Sequence, residues 1–122
     1  MIYVLFLLSE NCVSNVNGMF QQLRRLQVFT QKHFPCFQSP IDSALIVEIG
    51  YYQEQGRPLT IKGLLLLKLG APATVRRRLQ RLVDLGLIHK RRANHDGRIC
   101  QLEIDPSVRM RFAKYLKLVL RL

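Results

Sequence analysis

The sequence predicts a mainly α-helical fold with one small β-hairpin, an α+β arrangement, and three observations support this. Apolar residues recur at helical spacing through most of the 122-residue chain. One predicted helix carries a run of arginines opposite its apolar stripe. Two short strands, separated by turn-forming residues, follow that helix directly. With 48% hydrophobic residues, the chain is long enough for one domain with a genuine core.

The basic helix is predicted to begin at Pro72, where a missing N–H costs nothing, and to end before Gly86, which can adopt a left-handed conformation. Its apolar stripe follows the spacing i, i+4, i+7 and consists of Val75, Leu79 and Leu82. At 100° per residue, the opposite face carries Ala73, Arg77, Gln80 and Asp84, with Thr74 and Arg81 on one flank and Arg76 on the other. Cations and a small residue on such a face suit a DNA major groove.

The flanking segments complete a recognisable pattern. Thr60 can cap a preceding helix that extends to the turn at residues 70–72. Residues 87–92 form a predicted strand, and residues 94–97 supply turn chemistry. The return strand alternates, with Cys100, Leu102 and Ile104 on one face, and Asp105-Pro106 starts the last helix. A helix-turn-helix followed by a basic hairpin is a winged helix-turn-helix.

Three segments are expected along the chain. Residues 1–38 form an N-terminal segment and helix, 39–106 the winged helix-turn-helix, and 107–122 a C-terminal helix, with dimerisation expected at the two ends. The helix of the first segment is predicted over residues 15–33, and another spans about 40–54. Residues 1–8 fit either a strand or a packed helical turn, and an alternative is that the physiological chain starts at Met19.

The positive charge is concentrated in one part of the chain. The formal net charge is +11, and residues 57–98 contain eleven Lys/Arg and only two acids. A solvated basic face is the commoner explanation of a charge run taken alone. Because this run coincides with the predicted helix-turn-helix and hairpin, it favours an extended polyanion as partner.

The sequence resembles a known family over about residues 41–106. The motifs that carry the likeness are T-I-K-G-L, L-G-A-P-A-T-V-R-R-R-L-Q-R-L-V-D-L-G-L-I-H-K-R-R and D-G-R, and together they look like the DNA-binding lobe of MarR-type transcriptional regulators. The resemblance implies a homodimer whose recognition helix enters the major groove. It also implies that Arg98 of the wing reaches towards the minor groove, held by Asp96. Two departures are a shorter turn at residues 70–72 and a short chain after the wing.

Site residues follow from helical phase and charge. Candidates for base-edge contacts are Ala73, Thr74, Arg77 and Gln80. Arginine pairs bidentately with guanine, and small or methyl-bearing side chains suit thymine methyl groups. Candidates for phosphate contacts are Lys62, Arg76, Arg78, Arg81, Lys90, Arg91 and Arg92. Double-stranded DNA is the expected partner, whereas the sequence specifies no operator and no small-molecule effector.

Other functions are disfavoured. The sequence has no Gly-rich phosphate loop, HExxH, GxSxG or paired carboxylates, so we expect no enzyme, cofactor or metal. Three scattered cysteines without a CxxC motif suit a reducing cytoplasm. Cys36 is either a redox sensor or, more commonly for such a residue, an inert thiol. No run reaches the roughly 20 apolar residues needed to span a bilayer.

Two alternatives remain open. A winged helix can serve as a protein–protein or RNA-binding adaptor without specific DNA recognition. The basic amphipathic segment 106–122 could instead lie on an anionic membrane surface.

Overall fold

The computed structural model describes residues 18–92 and 99–120, with side chains up to Lys117. These residues form five helices and two strands: α1 Met19–His33, α2 Pro40–Glu54, α3 Ile61–Leu66, α4 Pro72–Asp84, β1 Ile88–Arg92, β2 Cys100–Ile104 and α5 Pro106–Leu120. The predicted fold class, mainly helical with one hairpin, is confirmed. The structure predicted for residues 1–8 and the turn at 94–97 lie outside the described residues.

The described chain divides into two compact units. The larger unit is Phe37–Lys114, which contains α2, α3, α4 and the hairpin. The smaller unit, within the described residues, comprises 18–36 and 115–120.

The core of the larger unit forms where α2, α4 and the hairpin pack together. The apolar stripe predicted for α4 is confirmed, because Val75, Leu79 and Leu82 are at most 2% exposed. The remaining buried apolar side chains of this unit are Leu45, Ile46, Ile49, Leu59, Leu64, Ile88, Leu102, Ile104 and Val108. At about 25 cal/mol for each Å² of apolar surface removed from water, this burial is the main force that seats α4.

The hairpin is antiparallel, with Ile88 opposite Ile104 and Arg92 opposite Cys100. Leu102 and Ile104 are buried, as the alternating pattern predicted. The carbonyl oxygen of Leu59 accepts a hydrogen bond from the Leu102 N–H at 2.8 Å, so the segment before α3 extends the sheet edge by a short bridge. These contacts hold the hairpin against the segment that precedes α3.

Helix α3 is shorter than its apolar spacing predicts. The expected continuation to Leu69 is wrong, because the helix ends at Leu66 and Lys68 adopts a left-handed backbone conformation with φ 56°. Gly70 allows Ile41 to pack closely against the turn, since a Cβ at position 70 would lie only 3.0 Å from Ile41 Cδ1. The predicted N-cap is confirmed, since Thr60 Oγ1 accepts a hydrogen bond from the Gly63 N–H at 3.0 Å.

Aromatic rings hold the smaller unit together. Phe29 stacks on Tyr115 with ring centroids 4.4 Å apart, and it lies edge-on to Phe34. The Tyr115 hydroxyl donates to the Gln22 carbonyl oxygen at 3.5 Å, and burial raises the pKa of that hydroxyl. Helix α1 has no fully buried residue, and Phe20 is 76% exposed. The helix therefore presents apolar surface that this unit does not cover.

No helix among the described residues is both long enough and apolar enough to cross a membrane.

The burial of α4 can be tested with two leucines near the same helix end. Leu82 is 0% exposed and Leu85 is 50% exposed. We expect Leu82→Ala to lower the free energy of unfolding by about 2–5 kcal/mol, because it removes buried contacts and leaves a cavity. Leu85→Ala should change it by only about 0.5 kcal/mol. Urea unfolding followed by circular dichroism measures both, and equal losses would contradict this packing.

Candidate nucleic-acid interface

The outward face of α4 carries the residues that helical phase places opposite the core. Ala73, Arg77 and Gln80 are exposed, and Thr74 on the flank is half-buried. Arg76 is exposed on the other flank. Neither Arg76 nor Arg77 has an ion-pair partner among the described residues. The helix therefore offers one small residue, one amide and two available guanidinium groups on its solvent side.

Gln80 is held by two neighbours. Its Nε2 donates to Asp84 Oδ1 at 2.8 Å, and its Oε1 accepts from Lys90 Nζ at 3.0 Å. A carboxylate on one side and an ammonium on the other fix which end of the amide is the donor. The contact also connects α4 to β1, so the amide on the outward face and the base of the hairpin are positioned together.

The guanidinium groups of Arg78 and Arg81 are directed to the start of α2. Their Nη1 atoms lie 3.7 and 3.8 Å from Asp42 Oδ2, and Arg78 Nη1 also donates to Gln38 Oε1 at 3.3 Å. Asp42 is 0% exposed. The phosphate contacts predicted for both arginines stay a prediction, and a phosphate would have to compete with this carboxylate.

Asp42 itself is positioned by the start of α2. Its Oδ2 accepts from the backbone N–H groups of Gln38 at 2.8 Å and Ser39 at 3.2 Å. The Ser39 hydroxyl oxygen accepts in turn from the Ile41 N–H at 3.0 Å, which completes a capping box with Pro40 at the first helical position. The sequence predicts this helix start from Ser39-Pro40. Arg78 and Arg81, which approach Asp42, lie 36 and 39 positions further along the chain.

The remaining predicted phosphate contacts come from exposed cations outside α4. They are Lys62 on α3 and Lys90, Arg91 and Arg92 on β1. Arg91 Nη2 lies 3.4 Å from Glu103 Oε2 on the neighbouring strand, and its side chain is 70% exposed. Exposed pairs of this kind are weak, so the guanidinium remains accessible. The wing-tip residues Asp96 and Arg98 lie outside the described residues, and their roles stay predictions.

The base of the hairpin contains a contact that sequence patterns did not indicate. His89 Nε2 and Asp105 Oδ1 are 2.6 Å apart. Asp105 Oδ2 also accepts from the Ser107 N–H at 3.0 Å and from the Ser107 hydroxyl, which makes it the predicted N-cap of α5. These bonds, above all the one with His89, lower the pKa of Asp105 to about 2. The contact ties the start of β1 to the start of α5.

The described residues contain no group of three or more His, Cys, Asp or Glu side chains that could hold a metal ion. The two cysteines in this part of the chain, Cys36 and Cys100, are half-buried and form no disulfide bond with each other. The apolar face predicted for Cys100 is consistent with its place beside Leu102 and Ile104.

No protein-family model and no curated protein matches this chain. The solved structures that are similar to it include the following two. One is the heme sensor protein PefR from Streptococcus agalactiae, solved in complex with heme, with a TM-score of 0.57, 14% identity, and 92% of this chain and 75% of that chain covered. The other is MarR, with a TM-score of 0.48, 18% identity, and 88% of this chain and 82% of that chain covered.

The architecture is that of a winged helix-turn-helix protein, in which a two-stranded hairpin follows a helix with one buried and one exposed face. Within that class, the likeness to PefR shows that the chain has a MarR-like winged-helix fold, as the sequence motifs predicted. Transcriptional regulators of the MarR family use this fold. At this identity, the likeness establishes the fold alone.

The bonds of Asp105 make acid stability testable. Its pKa of about 2 in the folded chain lies below the ordinary value of 3.8. Its stabilising contribution is therefore fully present above about pH 4 and is lost as the pH falls through about 2. We expect the free energy of unfolding to fall less steeply over this range in Asp105→Asn, because asparagine also caps helices but does not titrate.

Urea unfolding at several pH values between about 2 and 4 measures the slope. His89→Gln is the matched variant, and it should move the carboxyl pKa of Asp105 towards the ordinary value in an NMR titration. An unchanged acid slope in Asp105→Asn would contradict the assignment.

Proposed function

We propose that this chain binds double-stranded DNA through α4 and the hairpin and acts as a transcriptional regulator. The observation that carries the proposal is the division of α4 into a fully buried apolar face and an exposed face with Arg76, Arg77 and Gln80. A helix fixed in this way can enter a major groove, where base edges display distinct donors and acceptors. The proposal requires no cofactor, metal or catalytic step, and the cytoplasmic location expected from the cysteines stays a prediction.

Within this proposal, Arg77 and Gln80 are the main base-reading residues. Arginine pairs bidentately with guanine, and glutamine pairs bidentately with adenine. The bonds from Lys90 and to Asp84 support a role for Gln80, because a preoriented amide loses less conformational freedom on binding. Ala73 and Thr74 provide apolar contact with thymine methyl groups.

Phosphate contacts position the complex without specifying its sequence. Arg76 on α4, Lys62 on α3, and Lys90, Arg91 and Arg92 on β1 are exposed and suit this role. Arg98, with Asp96 beside it, is proposed for the minor groove at the wing tip, as the family resemblance implies.

We further propose that the chain acts as a homodimer. One winged helix reads only a few base pairs, and a two-fold dimer on a pseudo-palindrome doubles the site. The stripes predicted for the interface are Met19, Phe20, Leu23 and Leu26 in α1 and Phe112, Tyr115, Leu116 and Val119 in α5. Exposure of Phe20 (76%) and Leu116 (43%) supports this surface. Tyr115 is instead covered within its own chain by Phe29.

The base-reading role of Arg77 can be separated from phosphate binding. We expect Arg77→Ala to reduce discrimination between a specific and a scrambled duplex by about 1–3 kcal/mol per half-site. Arg76→Ala is the matched variant on the same helix, and it should weaken both duplexes about equally. The specific site is first selected from random duplexes, and affinities are measured by fluorescence anisotropy at fixed salt.

Equal losses for the two variants on both duplexes would contradict the assignment of Arg77. Binding to duplex RNA as tight as to DNA would favour an adaptor function instead.

Dimerisation should respond to salt in the opposite direction from DNA binding. Helices α1 and α5 carry only cations and no acid: Arg24, Arg25, Lys32, Arg109, Arg111, Lys114 and Lys117. Two copies that meet through these helices repel each other, and salt screens that repulsion. We therefore expect a tighter dimer at about 0.5 M than at about 0.05 M NaCl in analytical ultracentrifugation.

Lys114→Glu should strengthen the dimer at low salt, because it reduces the repulsion. Arg57→Glu, an exposed change outside both helices, should leave the dimer unchanged. A chain that stays monomeric at tens of micromolar at both salt concentrations would rule out the dimer, since specific DNA affinities are typically nanomolar or tighter.

A further inference from the structure

Asp42 is a fully buried carboxylate that contacts two of the four arginines of α4. Its 0% exposure contrasts with the 24% and 30% exposure of the Arg78 and Arg81 side chains. The two arginines lie three positions apart on the helix, on its α2 side, and both direct Nη1 to the same carboxylate oxygen. This arrangement is absent from the outward face, where Arg76 and Arg77 are exposed.

A buried carboxylate is tolerated only if hydrogen bonds and opposite charge compensate for the lost hydration. Two backbone N–H groups at the start of α2 supply part of this compensation. The helix N-terminus adds a favourable dipole, and Arg78 and Arg81 supply the positive charges. Moving either guanidinium to a DNA phosphate would leave the carboxylate of Asp42 less compensated, so the internal contact opposes that movement.

We propose that Asp42 is a positioning residue for DNA recognition, which acts as an internal anion that keeps Arg78 and Arg81 out of phosphate contact. This inference rests on the function proposed above and revises the phosphate role expected for these two arginines. Only Arg76 and Arg77, of the four arginines of α4, then face DNA.

The same contact agrees with the rotation of α4 that its buried apolar stripe sets. Residues at i and i+3 lie on one side of a helix, so two arginines at that spacing hold this side against the start of α2. Arg77 and Gln80, opposite the buried stripe of Val75, Leu79 and Leu82, have no such partner and remain exposed. Asp42 thus favours sequence discrimination over non-specific attraction, because it limits the number of cations available to any duplex.

Salt dependence tests the proposal with matched variants on a single helix. Each phosphate contact contributes about −0.9 to the slope of log Kobs against log salt concentration. We expect Arg76→Gln to make the slope shallower by about 0.9 per bound subunit. Arg78→Gln and Arg81→Gln should leave it unchanged. Slopes are measured with the full chain on one specific duplex.

Asp42→Asn gives a second readout that a purely structural role would not produce. Release of the two arginines should make the slope steeper by as much as about 1.8 per subunit. It should also strengthen binding to a scrambled duplex at low salt. Adding Arg78→Gln and Arg81→Gln to this variant should restore the original slope, although the same pair has no effect when Asp42 is present.

Each outcome has a definite meaning. If Arg78→Gln or Arg81→Gln makes the slope shallower by as much as Arg76→Gln does, the inference is overturned while the proposed DNA binding is not. An Asp42→Asn protein that folds and shows an unchanged or shallower slope would do the same. If that variant does not fold, the three arginine variants still decide. An unmodified chain without salt-dependent duplex binding would overturn the proposed function and this inference with it.

Discussion

The burial of Val75, Leu79 and Leu82 is the constraint on which the rest of the larger unit depends. These side chains fix the inner face of α4 against the core and leave the opposite face in solvent. Because the helix turns 100° per residue, the position of three aliphatic side chains determines the direction of every other residue on it. Arginines that are adjacent in sequence therefore have different surroundings. Arg77 projects outward, while Arg78 lies beside a buried carboxylate.

Polar contacts add to the apolar burial that positions α4 and the hairpin. Lys90 and Asp84 hold the amide of Gln80, and the backbone bond between Leu59 and Leu102 holds the sheet edge near the start of α3. The contact with Lys90 joins α4 to β1, and the bond between Leu59 and Leu102 joins the hairpin to a segment far from it in the sequence. Individually they contribute little net free energy, since folding exchanges hydrogen bonds with water for internal ones. Their effect is geometric, because they limit how the helix and the hairpin can shift relative to each other within this unit.

Much of the fold was predictable from local chemistry. The limits of α4 follow from Pro72 and Gly86, and the alternation of the return strand predicts the burial of Leu102. These features depend on neighbouring residues, so a single sequence contains the necessary information. The early end of α3 was not predictable in the same way, because the run of leucines keeps helical spacing beyond Leu66. The left-handed conformation of Lys68 stops the helix against that pattern.

In the candidate site, too, the features that depend on neighbouring residues were predictable and the contacts between distant residues were not. Helical phase predicted the exposure of Arg77 and Gln80, which depends only on the position of the apolar stripe. It did not predict that Asp42 meets Arg78 and Arg81, or that His89 meets Asp105. Such pairs join residues 16 to 39 positions apart, and nothing in the spacing of charges indicates which will meet after folding. A capping pattern at Ser39 predicts where α2 begins, but not what its first-turn carboxylate faces across the unit.

This distinction affects how a basic sequence should be interpreted. A net positive charge on a helix is a sum over residues, whereas attraction to a duplex depends on the cations that can reach phosphates. A buried anion such as Asp42 lowers the net charge by one, but it pairs with two arginines, Arg78 and Arg81. Counting charges along α4 treats its four arginines as equivalent. Their surroundings instead divide them into an exposed pair, Arg76 and Arg77, and a pair that faces the buried carboxylate of Asp42.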